Sequence, residues 1–167
     1  MASKKFIFRA QPALDKAVAE QKKCEEAVVA ARRELEAQQQ ALQRLKDELI
    51  RIRQQIKVEH DNLVSPARTG VVSDPRELGR RGNAVEAEKL KEQRQLVKIK
   101  EQEERVAWAA DKVDLRKREL NEAVAHVQAL EKLKENRRKE HMAELAKAEE
   151  QKRDDDAIQL WNNQRDG

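Results

Sequence analysis

The chain is short of nearly everything a globular core or a β-sheet is built from. Its 167 residues include no Tyr, two Phe, two Trp, four Gly and three Pro, so aromatics make up only 2%. Cys24 is the sole cysteine, which rules out an internal disulfide and suits a reducing compartment. Long apolar runs are missing too: Phe6-Ile7-Phe8 is the only apolar stretch near the N-terminus. A secretory signal needs about 7–15 such residues and a membrane span about 20, so the expectation is a soluble, cytoplasmic protein. Nor is there an excess of one charge. With 36 basic against 32 acidic residues the net charge is +4, and both signs are interleaved, which gives little of the single-sign field that nucleic-acid binding uses.

What remains is 38% hydrophobic and 41% charged, rich in Ala, Glu, Lys, Arg, Leu and Gln, the composition of a long helix or coiled coil. A seven-residue step picks out Leu14, Gln21, Val28, Leu35, Leu42, Leu49, Ile56 and Leu63; three residues later stand Ala17, Cys24, Ala31, Gln38, Leu45 and Ile52. An apolar repeat held this long argues for a coiled-coil seam and against disorder. Pro66, Gly70, Ser73-Asp74-Pro75, Gly79 and Gly82 then interrupt it, although Asp74-Pro75 could start a helical turn. A second series follows: Ile99, Val106, Val113, Leu120 and Val127, with Leu96, Ala110, Val124 and Leu130 at the alternate spacing. We expect one all-α domain, a long antiparallel two-stranded coiled-coil hairpin. Helix one covers about 10–64, a connection 65–83, and helix two about 84–160. Folding back near residue 74 would set Leu49 against Ile99, Leu42 against Val106 and Phe6 against Met142. An intermolecular parallel dimer would leave the breaker-rich middle unexplained.

Catalysis has little to stand on. There is no Gly-rich loop ending in Lys-Ser or Lys-Thr to cradle phosphates. His60, His126 and His141 lack ligand-like spacing, and Cys24 falls on the seam as a small apolar residue. The many carboxylates would stand on solvated faces with no cleft to tune them. The expectation is a non-enzyme with no cofactor, no metal and no small-molecule substrate.

Binding is the better prospect. The outermost position of helix one holds Glu26, Arg33, Gln40, Asp47 and Gln54, all polar, whereas the outside of helix two carries Leu90, Val97, Trp108 and Leu115 around Arg94. Such a stripe, with a Trp in it, suits a partner site. Past about residue 142, helix two would outrun helix one. This overhang, 143–167, has Leu145, Ile158, Leu160 and Trp161 as its apolar points. A helix with nothing to pack on is marginal in water, so the overhang should fray alone and be ordered by a partner.

Phe8-Arg9-Ala10-Gln11-Pro12-Ala13-Leu14-Asp15 resembles the Phe-Arg-Leu-Gln-Pro-Val-Leu-Asp opening common in the flagellar export protein FliJ. Leu130-Glu131-Lys132-Leu133-Lys134-Glu135-Asn136-Arg137-Arg138, Glu140-His141 and Glu150-Gln151-Lys152 look like that family's C-terminal stretch. Asp156-Ala157-Ile158 is similar to its Asp-Glu-Ile ending, with Ala157 a departure. A second departure is Gly79-Arg80-Arg81-Gly82-Asn83, where the family usually has an aromatic-containing helical stretch. The resemblance to the FliJ/YscO family implies a stalk component of a type III export apparatus, flagellar or injectisome, peripheral to the inner membrane. It implies two partners, the hexameric export ATPase and the cytoplasmic domain of the export gate, with export chaperones as further candidates. For the gate it points to Leu90, Arg94, Val97, Trp108 and Leu115. For the ATPase it points to Arg137, Arg138, Lys139, Leu145, Ile158 and Trp161. Two other readings stay open: a coiled-coil adaptor or spacer outside secretion, and a nucleic-acid-binding hairpin gripping through Lys132, Lys134, Arg137, Arg138 and Lys139, a run diluted by Glu131, Glu135 and Glu140.

Overall fold

In the computed structural model, which describes residues 5–69 and 74–165, the chain forms two α-helices and, among those residues, no strand. Helix α1 spans Gln11–Thr69 and α2 spans Pro75–Arg165. They pack as an antiparallel hairpin, the all-α coiled-coil class expected from the heptads. The helices run closer to the turn than the sequence suggests. α1 continues five residues past 64 and α2 begins at Pro75 rather than near 84, while the breaker residues Gly70 and Ser73 lie outside the described segments.

Local chemistry explains both extensions. Asp74 caps α2: its Oδ1 accepts from Arg76 N–H at 3.1 Å and its carbonyl accepts from Glu77 N–H at 2.9 Å. Pro75 takes the first helical position, where its missing N–H is no loss. Gly79 and Gly82 are carried inside the helix at an intrinsic cost of about 1 kcal/mol each relative to Ala. Within α1, Pro66 cannot donate to the carbonyl of Asn62 four residues back. Arg81 Nη1 donates to that carbonyl instead, at 2.8 Å, and its Nη2 binds Glu77 at 2.6 Å. At the other end of α1, Pro12 sits harmlessly in the first turn, and Leu14 N–H makes an i→i−4 bond to Ala10 at 3.0 Å.

Contacts divide the chain into two units, Met1–Glu26 with Arg118–Gly167, and Ala27–Lys117. In the first, Leu14, Ala17 and Val127 form a buried cluster against which Phe8 and Leu130 pack. Lys134 Nζ donates to Gln11 Oε1 at 2.8 Å, and the Phe6 ring stacks on His141 at 5.6 Å.

In the second unit Val28, Ala31, Leu49, Val85, Ile99, Ala109 and Val113 are buried. So are two polar residues, Gln95 and Gln102, at 3% and 6% exposure. Gln95 Nε2 donates to the Leu45 carbonyl at 2.9 Å and to Glu48 Oε2 at 3.2 Å. Gln102 Nε2 donates to the Gln38 carbonyl at 3.0 Å and to Gln38 Oε1 at 2.7 Å. No buried side-chain nitrogen or oxygen is left without a partner among the described residues, which is what lets an amide sit in a seam.

These contacts amend the sequence expectation at two points. The alternate spacing on α2 steps through Gln95, Gln102 and Ala109 rather than through Leu96 and Ala110, and Leu96 is 42% exposed. The register also differs. A fold-back at 74 would set Ala17 against Glu131 and Leu14 against Lys134, but both cluster with Val127, one to two turns earlier. On α1 every residue of the two heptad series is buried or half-buried.

Candidate partner-binding surfaces

On the outside of α2, within Ala27–Lys117, Leu90, Val97, Trp108 and Leu115 are all exposed, Trp108 at 62%, and Arg94 lies among them. Their spacing explains this. Leu90, Val97 and Leu115 each stand at least two residues from the nearest buried position, and Trp108, although next to buried Ala109, is itself turned outward. Trp108 is not bare: Lys112 Nζ sits 5.2 Å from its ring centroid and also pairs with Glu34 at 2.7 Å. The indole is held on a cation–π contact while most of its surface stays available.

The contrast with α1 is weaker than its far face suggests. Glu26, Arg33, Gln40, Asp47 and Gln54 are exposed, but so are Val29, Ile50 and Val58 nearby. These aliphatics fall on flank positions that inspection of the single outermost position passes over.

Beside the α2 stripe lies an open groove of about 930 Å³ whose cations are Arg44, Arg51, Lys91, Arg94 and Lys98. Its acids are engaged: Asp47 accepts from Gln43, Glu48 from Gln95, and Glu88 from Lys91. Among the described residues Arg44, Arg51, Arg94 and Lys98 make no ion pair. The flank pairs Lys46–Glu103 at 3.5 Å and Arg53–Glu92 at 2.7 Å are solvent-exposed, and such pairs contribute about 0.2–1 kcal/mol each.

In the other unit, Arg137, Arg138 and Lys139 are exposed, and Arg137 pairs with Glu140 at 3.0 Å. Leu145 is half-buried, and from residue 146 to 165 every side chain is exposed, Ile158 and Trp161 included. That stretch continues α2 as helix to Arg165, which sits over the Trp161 ring at 5.0 Å. The structure thus separates the two sets of candidate residues into different units and assembles no enclosed site from either.

Chemistry-bearing residues are equally dispersed. His60 and His126 are exposed, Cys24 is half-buried on the seam, and His141 lies half-buried beside Phe6. No group of three His, Cys, Asp or Glu is arranged to hold a metal among the described residues. No described helix is long and apolar enough to cross a membrane.

Two long antiparallel helices, Gln11–Thr69 and Pro75–Arg165, packed along an apolar seam define a coiled-coil hairpin. Among solved structures, the chain matches one described as a YscO homolog from Chlamydia trachomatis, with a TM-score of 0.86 over 98% of this chain and 99% of that one. Identity is 18%, so the likeness is one of fold. No family model matches the chain, and no curated protein matches it.

Proposed function

We propose that this protein is a non-enzymatic stalk of a type III protein-export apparatus, joining the hexameric export ATPase to the membrane export gate. One observation carries the reading: the fold agrees with that of a YscO homolog along nearly the entire length of both chains. The FliJ-like segments at both ends of the sequence support it independently. So does the division of exposed apolar residues between two units, which suits a protein with two partners. In this reading Leu90, Arg94, Val97, Trp108 and Leu115 meet the gate. Arg137, Arg138, Lys139, Leu145, Ile158 and Trp161 meet the ATPase, with the basic residues speeding encounter more than adding affinity. The protein works in the cytoplasm, peripheral to the inner membrane, and export chaperones are further candidates for the same surfaces.

A steady-state assay with the cognate export ATPase tests the role. The full chain stimulates turnover, and a chain lacking residues 143–167 does not, while its melting temperature stays within about 2 °C, because nothing in 146–165 packs on the seam. Equal stimulation by both chains sinks the ATPase assignment. For the gate, a Leu90→Ala/Val97→Ala variant keeps its helicity and loses capture of the gate's cytoplasmic domain. Undiminished capture moves the contact elsewhere.

A further inference from the structure

The groove on Ala27–Lys117 and the exposed end of α2 have complementary chemistry. Arg44 and Arg51 lie two turns apart on α1, Arg94 and Lys98 one turn apart on α2, and none is ion-paired among the described residues. Leu90 and Val97 stand exposed beside them. Four unpaired cations bordered by aliphatics call for an acidic segment that also carries apolar side chains.

The chain contains such a segment. Glu150, Asp154, Ile158 and Trp161 recur at helical spacing and so share one face. Asp155 borders that face, and all five side chains are exposed. Its acids and its apolar residues share one short face, as Arg94 and Lys98 do with Leu90 and Val97 on α2.

We propose that the groove takes residues 150–161 of a second copy of this chain, so that the free protein self-associates head to tail. Asp154 and its acidic neighbours meet Arg94, Lys98, Arg44 and Arg51, while Ile158 and Trp161 cover Leu90 and Val97. A phosphate polymer fits less well, because aliphatics and three engaged carboxylates interrupt the cations. A copy bound here occupies the surface assigned above to the gate, so association and partner binding compete. The self-association itself does not depend on the export reading and is measured on this protein alone.

Sedimentation velocity on the full chain, from low to high micromolar concentration and at two salt concentrations, provides the test. Association grows with concentration and weakens with salt, since exposed charges are screened. Arg94→Glu/Lys98→Glu weakens it by roughly tenfold, as does Asp154→Lys/Asp155→Lys, and combining the two pairs restores part of it, because the Arg94 and Lys98 contacts are reversed on both sides while Arg44 and Arg51 are unchanged. Trp161→Ala weakens it as well. All these positions are exposed, so circular dichroism remains unchanged. A chain that is monomeric throughout overturns the proposal. So does association indifferent to both charge reversals, or tight binding of a single-stranded oligonucleotide without self-association.

Discussion

Gln95 and Gln102 occupy positions where Leu would bury more apolar surface, yet each is held by a main-chain carbonyl of α1. This is why inspection for apolar periodicity settles on Leu96. The true α2 positions 95 and 102 hold amides, and the neighbouring leucine completes a plausible pattern one residue away. A glutamine reads as polar in a sequence, and only the presence of an acceptor decides whether it can be buried. On α1 the series is apolar nearly throughout and was legible residue by residue. Leu42 is half-buried there and Gln40 exposed. Leu42→Asp should therefore lower stability by about 2–3 kcal/mol through an unpaired charge, and Gln40→Asp should change it by less than about 0.5 kcal/mol. Thermal melts followed by circular dichroism compare the two, and equal losses would contradict the heptad assignment.

At the scale of the element, the turn-side ends of both helices were the least legible. Pro66, Gly79 and Gly82 are helix breakers by intrinsic preference, but preference is a weak prior beside a cap and a tertiary donor. The Asp74 cap could be read locally from Asp-Pro. The Arg81 bond to Asn62 could not, because it joins residues nineteen apart. Two predictions follow from these contacts. Nothing lies within 4 Å of a Cβ built on Gly79 or Gly82, so Gly79→Ala and Gly82→Ala should each stabilise the protein by about 0.5–1 kcal/mol, seen as raised urea midpoints. Arg81→Ala should cost about 0.5–1 kcal/mol by removing its bonds to the Asn62 carbonyl and to Glu77. In a Pro66→Ala background residue 66 supplies the N–H, and the same change should cost distinctly less. A double-mutant cycle that returns no coupling would show that Arg81 is not replacing the missing donor.

For the whole molecule, composition and periodicity were enough for a helical hairpin, since few other folds use so little aromatic and glycine content. The register between helices was not, because any one-turn shift of two heptad series keeps apolar residues facing apolar residues. What distinguishes one register from the next is polar: Gln95 also donates to the Glu48 side chain and Gln102 to the Gln38 side chain, partners that a shifted register would remove. Partner surfaces were legible only as candidates, since exposure marks what is available and not what occupies it.

The two glutamine grips also make the seam directional under load. Both join α2 to the main chain of α1 within Ala27–Lys117. A force along the helix axis strains them together with every apolar layer between. A force across the axis peels one layer at a time. Tethers at Ala30 and Glu88, which pull the strands past each other, should therefore need a higher rupture force in optical tweezers than tethers at Ala30 and Lys117, which pull them apart. Gln95→Ala/Gln102→Ala should lower the first force far more than the second, and an equal drop in both would mean the amides bear no axial load. A hairpin built this way resists sliding of one strand past the other while it can still be opened from the side with little force.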